Sequence, residues 1–199
     1  MARSAGVPLR LQGSQEQLLR RLRGGGVEQA LRATALIPGK MYDSQLALLF
    51  RLAREYDGGR ILEVGCFHGR SAAILALGAP TAEVVTISPD AKHVREAREN
   101  AAALGVSVDV HKCTSRGLLD QDESAWSMVY VDGDHRHVEV DLEWWPRIIP
   151  GGLILFHDYT PRRYRPLVEA VDAFGRMLSR PPDVSLVDDQ LVGMVGWYK

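Results

Sequence analysis

The stretch ILEVGCFHGRS, residues 61–71, decides how this chain is read. Ile61 to Val64 form a short apolar run of the kind buried in a parallel sheet, with one carboxylate, Glu63, set into it. Gly65 ends the run, Gly69 follows, and a helix-like segment of about residues 70–78 comes next. Strand, glycine turn and helix are the opening of a βαβ unit. Glycine lets the backbone turn tightly and approach a ligand, and the helix N-terminus offers unpaired N–H groups. The dinucleotide fingerprint G-x-G-x-x-G is not met, because Phe67 occupies the middle of G-C-F-H-G. Glu63, two residues ahead of Gly65, would repel a pyrophosphate and suit an ammonium or sulfonium group.

The pattern continues on both sides of this stretch. Upstream, Asp43 or Ser44 can cap a helix whose Leu46, Leu49, Phe50 and Ala53 recur at helical spacing, ending at Asp57-Gly58-Gly59. Downstream, VVTIS (84–88) reads as a strand, and 90–104 as a helix with Val94, Ala97, Ala101 and Leu104 on one face. Strands follow at 106–113 and 128–132. A helix is expected from His135 to Ile149 with Val138, Leu142, Trp145 and Ile149 sharing a face. LILFHD (153–158) is another strand, 163–179 a helix, and 184–188 with 191–198 a closing hairpin around Asp188-Asp189-Gln190. Strands alternating with helices predict an α/β, Rossmann-like, doubly wound, mostly parallel sheet whose last strand is antiparallel. In such sheets ligands sit beyond the carboxyl ends of the strands, where strand order reverses. The ends to examine are therefore 63–70, 88–90, 113–115, 132–135 and 157–159.

Composition sets the bounds. The chain has 199 residues, 46% hydrophobic and 25% charged, which suits one domain with a full core. A net charge of −1 removes the broad basic face of a nucleic-acid binder. The longest uncharged apolar stretch, Ser71 to Ala82, is too short to span a bilayer, and no secretory signal is visible. Two cysteines, Cys66 and Cys113, do not make a disulfide scaffold, so a cytoplasmic protein is expected. Residues 1–36 read as a leader, lid or oligomerisation segment ahead of a domain at 37–199. Gly24-Gly25-Gly26 forms a flexible joint, and Leu18, Leu19 and Leu22 mark one or two helical turns.

The densest ionisable cluster is VDGDHRHVEVDLEWW, 131–145. Asp132 ends an apolar strand, and Gly133 allows a turn that sends Asp134 and His135 toward the same crevice. LILFHDY delivers Asp158 to the end of the next strand. If those strands are neighbours, Asp132 and Asp158 meet at the sheet edge, and two carboxylates completed by water and substrate oxygens suit Mg²⁺. The competing reading has Asp132 cap a helix and Asp158 start a turn.

ILEVGCFHGRS resembles motif I of class I S-adenosylmethionine-dependent methyltransferases, in the subgroup reading E-x-G-x-x-x-G-R-S, and the resemblance runs from Ile37 to the C-terminus. It implies a seven-stranded sheet and a cofactor cradle of Glu63, Gly65, Phe67, Gly69, Arg70, Ser71, Ser88, Asp90 and Ser115. VVTISPD departs from the family, since Ser88 stands where an acidic residue usually binds the ribose; Asp90 is the alternative. VDGDH and PGGLILFHDY are similar to magnesium-dependent O-methyltransferases of sugars and natural products, such as the macrolide-sugar enzymes. Carried over by position, Asp132 and Asp158 hold the metal and His135 is the general base. His157 stands where several relatives place a further carboxylate, which leaves a third ligand, His157 or Asp134, open. The implied acceptor is a hydroxyl of a sugar, oligosaccharide or polysaccharide, a methylmannose type being one option. Residues 159–166, YTPRRYRP, with Arg162, Arg163 and Arg165, form a candidate acceptor loop. The leader and the Trp144-Trp145 pair suggest a homodimer. Two rivals stand beside this reading: a metal-dependent hydrolase using Asp132, His135 and Asp158, and a cofactor-binding protein without turnover.

Overall fold

The structure, a computed structural model, describes residues 8–160, 163–188 and 193–199. Its strands are β1 (Leu9–Gly13), β2 (Arg60–Val64), β3 (Glu83–Ser88), β4 (Asp109–Lys112), β5 (Trp126–Val131), β6 (Ile148–Phe156), β7 (Val184–Asp188) and β8 (Gly193–Tyr198). The helices are α1 (Gln15–Leu22), α2 (Val27–Ala33), α3 (Asp43–Arg54), α4 (Arg70–Gly78), α5 (Ala91–Leu104), α6 (Ser115–Leu119), α7 (Val138–Leu142) and α8 (Arg165–Met177). The eight strands form one sheet in the order β1-β7-β8-β6-β5-β2-β3-β4. Every pairing is parallel except those of β8, which runs against both β6 and β7. This is the doubly wound α/β sheet with an antiparallel last strand that the pattern predicts.

Side chains along each strand alternate between two apolar layers, as the two-residue strand period requires. Ile61, Met128, Tyr130, Leu153 and Leu155 join α1 to α4 in one cluster. Leu62, Val64, Val129, Val131, Ile154 and Phe156 join Trp144 and α8 in the other. Burial on both faces explains why the strands read as apolar runs. The chain passes from β2 outward to β3 and β4 and then returns to β5 on the other side of β2. The reversal of strand order therefore lies between β2 and β5, directly above Gly65 and Gly133.

The structure departs from the sequence expectation in four places. The sheet has eight strands and not seven, because part of the expected leader forms β1 and pairs with β7. Ser14 then caps α1 through a reciprocal box with Gln17, and Leu18 and Leu22 are buried among residues of α3. The helix expected over 135–149 is only α7 followed by a 3-10 turn at Trp145–Arg147. Pro146 cannot continue the helix, so Ile149 lies in β6 and is exposed. The helix after Tyr42 starts at Asp43, with the Gln45 side chain accepting from the Tyr42 amide, so neither Asp43 nor Ser44 is its cap. Finally, α2 and α6 had no sequence signal long enough to predict them. The expected turn at Asp189-Gln190 and the acceptor-loop residue Arg162 lie outside the described residues.

Candidate active site

Two loops meet at the reversal. Asp132 N–H donates to the Val64 carbonyl at 2.9 Å, and the Gly65 amide donates to Ile87 at 3.0 Å. Gly65 holds φ +106°, and a Cβ there would lie 2.3 Å from the Asp132 carbonyl oxygen. Glycine is therefore required twice over, by conformation and by contact. Gly69 meets a similar demand, at φ +83° with a Cβ position 3.0 Å from Ala97. The two glycines let the β2–α4 loop lie flat and start α4 beneath it.

Beside this crossing is a slot of about 340 Å³. Its walls are Val64, Gly65, Ile87 and Pro89 on one side, and Gly133, Val140 and Asp141 with the 113–116 segment on the other. The volume is at the lower end of small-molecule clefts, roughly 300–1,000 Å³. Of the expected cofactor residues, Gly65 and Ser115 line it. Glu63 lies beneath the loop, fully buried, where it accepts from the Thr86 hydroxyl. Burial raises its carboxyl to about 7, against the opposing hydrogen bonds of Ser71 and Thr86. Ser88 is buried at the end of β3 and accepts from the Asp90 amide at 3.2 Å. Asp90 caps α5, accepting from Lys92 and His93 amides at 2.7 and 3.3 Å. Arg70 pairs with Asp43 at 3.3 Å. Phe67, 40% exposed at φ +41°, packs against the rings of His68 and His93 outside the slot.

Adjacent to the slot, Asp132, His157 and Asp158 bring three ligand atoms within 4.8 Å of one another. His157 Nδ1 lies 3.1 Å from Asp132 Oδ1 and 3.4 Å from Asp158 Oδ1. Burial alone would lower the His157 pKa; the charges and hydrogen bonds of Asp132 and Asp158 overcome it and hold the imidazole up at about 10. Asp158 adopts φ +56°, a left-handed conformation that Asp tolerates better than most residues and that recurs at functional sites. Its Oδ2 lies 3.0 Å from His135 Nε2. Burial works to raise the Asp158 pKa, but hydrogen bonds from His135 and His157 take it well below the usual carboxylate range. The Tyr130 hydroxyl, fully buried, donates to Asp132 Oδ2 at 3.1 Å and contacts Met41 Sδ at 3.4 Å.

The adjacency of β5 and β6 thus unites Asp132, Asp158 and His135. It leaves Asp134 out, since Arg136 hydrogen bonds hold that carboxylate on the surface and well below its ordinary pKa. Two carboxylates from separate strand ends fit a divalent cation, and oxygen ligands suit Mg²⁺; the His157 imidazole between them, held protonated by both, offers a cation no lone pair. In the acceptor loop the Tyr164 ring packs against His135, tilted by 55° with ring centroids 4.2 Å apart, and Arg163 lies over Tyr164 at 5.1 Å. Tyr159 turns away and donates to Asp172 at 2.6 Å. Sequence reasoning missed Tyr130, Met41 and Asp141. Each looks like an ordinary core or helix residue until strands and helices are placed side by side.

Fold and site together define the class: this is the class I methyltransferase architecture. Residues 62–159 match the family described as a methyltransferase domain. A curated relative, ubiquinone biosynthesis O-methyltransferase of Rhizobium johnstonii, is 34% identical over 108 residues, covering 51% of this chain and 42% of that protein. The chain thus aligns with less than half the length of that relative. Similar solved structures include an O-methyltransferase from Bacillus cereus in complex with SAH (20% identity, TM-score 0.66, 89% of this chain and 92% of that one). Another is the O-methyltransferase TomG of Streptomyces achromogenes, involved in tomaymycin synthesis and bound to SAM (23%, 0.66, 92% and 90%). At these identities the structures support the fold. No helix among the described residues is long and apolar enough to cross a membrane.

Proposed function

We propose that this chain is an S-adenosylmethionine-dependent O-methyltransferase, with magnesium held by Asp132 and Asp158 and His135 as general base. The observation that carries the reading is the juxtaposition of the slot at the strand reversal with the Asp132/Asp158/His135 cluster, joined through Gly133. The family match and the O-methyltransferase relative support it. In the reaction the acceptor oxygen attacks the sulfonium methyl in line, the C–S bond breaks, and the cofactor leaves as the neutral thioether S-adenosylhomocysteine. When bound, magnesium supplies Lewis acidity that orients the acceptor and favours its alkoxide.

The chain's own residues do the rest. An ionised Asp158 only accepts, so His135 donates through Nε2 and keeps the Nδ1 lone pair free for the acceptor proton. Asp158 therefore orients the base with Oδ2 and faces the metal locus with Oδ1. Tyr130 fixes Asp132 from behind. The acceptor is proposed to be a sugar or oligosaccharide hydroxyl, because Tyr164 offers a ring beside the base on which an apolar sugar face can rest.

Calorimetric titration with S-adenosylmethionine, with Mg²⁺ and with EDTA, followed by methyl transfer to hydroxyl acceptors, tests the reading. His135→Ala is expected to lower turnover roughly 10²–10⁴-fold while leaving cofactor affinity in place. Near wild-type turnover in that variant would remove the base assignment, and absence of S-adenosylmethionine binding would remove the whole reading. The carboxylate pair with His135 beside it favours one second reading, a metal-dependent hydrolase. That reading predicts metal-dependent bond cleavage without S-adenosylmethionine.

A further inference from the structure

We infer that Arg163 supplies an anion site on the acceptor side, so that the sugar whose hydroxyl is methylated carries a negative group, a carboxylate or a phosphate. The inference rests on the O-methyltransferase reading above and narrows its acceptor class. Arg163 lies in the turn between β6 and α8, is exposed, and holds its guanidinium carbon 5.1 Å from the centroid of the Tyr164 ring. That ring packs against His135, the proposed base, with centroids 4.2 Å apart. One aromatic side chain therefore separates the base from the cation.

Other arginines of the loops around the crevice are neutralised, Arg136 by Asp134 at 2.7 Å and Arg165 by Glu169 at 2.6 Å. Among the described residues no carboxylate pairs with Arg163. The Tyr164 phenol lies within reach of both charges: burial and Asp158 push its pKa up, and Arg163 acts in the opposite direction. Asp132 and Asp158 repel an anion placed beside them. The negative group of a bound acceptor must then point away from that pair, past Tyr164, where Arg163 stands. A neutral hydroxyl gains little from a solvated guanidinium, whereas the planar fork of N–H groups matches two oxygens of a carboxylate or phosphate. A guanidinium resting on a ring keeps those donors at its edge, open to a ligand. A hexose laid along Tyr164 directs one hydroxyl toward His135 and its charged substituent toward Arg163.

The test is NMR titration of the full chain, saturated with S-adenosylhomocysteine and Mg²⁺, with methyl glucoside, methyl glucuronide and methyl glucoside 6-phosphate. Wild type is expected to prefer one or both anionic sugars by about 5–10-fold, less than a buried charged hydrogen bond gives because Arg163 is exposed. The two anionic arms distinguish carboxylate from phosphate. The preference should shrink as salt rises from about 20 mM to about 500 mM. In Arg163→Gln it should fall to within about twofold. Arg163→Lys, which keeps the charge and loses the fork, should retain part of it. Unchanged affinity for S-adenosylhomocysteine reports that the variants are folded. Equal binding of neutral and anionic sugars by wild type would overturn the inference. So would a preference that survives intact in Arg163→Gln, because the metal locus would then hold the anion. If S-adenosylhomocysteine binds and none of the three sugars does, the inference falls and methyl transfer itself is untouched. If S-adenosylhomocysteine does not bind, the methyltransferase reading falls instead.

Discussion

Replacing Glu63 by Gln is expected to stabilise the protein at neutral pH and to do so far less in mild acid. Glu63 is fully buried under the β2–α4 loop, and burial raises its carboxyl from an ordinary 4.5 to about 7. Between those two values the folded chain keeps a proton that the unfolded chain releases. Stability therefore falls as pH rises through this window, by about 1.4 kcal/mol per pH unit, for a total of about 3 kcal/mol. Below the window both states are protonated and the effect vanishes; above it the penalty is constant. Gln has the same shape and no charge to bury, and any difference in its bonding to Thr86 does not depend on pH. The advantage of Glu63→Gln should thus grow by about 3 kcal/mol between pH 4 and pH 8. For a chain of this size that corresponds to roughly 6–12 °C in Tm. Urea unfolding of both proteins in chelator without cofactor, at several pH values, reads the gap directly. A gap that stays the same across the range would show that Glu63 is ionised without penalty, and the argument from burial would be wrong.

Two further outcomes follow from the site geometry. Gly65→Ala should lower Tm by several degrees and weaken S-adenosylmethionine binding, since its Cβ would lie 2.3 Å from the Asp132 carbonyl oxygen at φ +106°; a melting curve and titration matching wild type would refute the contact argument. Tyr130→Phe removes the hydroxyl that holds Asp132 Oδ2, and metal affinity measured by Mg²⁺ titration should fall about 10–100-fold with a modest effect on cofactor affinity. Unchanged metal affinity would leave Tyr130 as packing alone.

The sheet was legible because buried parallel strands must be apolar and must be punctuated by turns. ILEVG, VVTIS and MVYVD carry both signals. The strand β1 has no signal in the sequence because it is only five residues long and gains its partner, β7, from the far end of the chain. The helix expected over 135–149 was over-extended because apolar spacing outweighed Pro146, which the backbone cannot ignore.

At the site, Asp132, His135 and Asp158 were readable from motif spacing, since each lies at or just beyond the end of an apolar run. Glu63 was readable as a residue but not as a fully buried one. His157 was readable as a departure, and only the packing of β6 against β5 aims its Nδ1 at both carboxylates. Tyr130 was invisible, because nothing local separates a hydroxyl that holds Asp132 from that of an ordinary core tyrosine.

Local chemistry in the sequence thus determined the elements, the glycine turns and which acids stand at strand ends. Those features depend on neighbours a few residues away. The tertiary structure alone decided which side chains share a cavity, how deeply each is buried and which oxygen faces which nitrogen. Those depend on pairings such as β5 with β6, between segments about twenty residues apart, whose geometry no local pattern encodes.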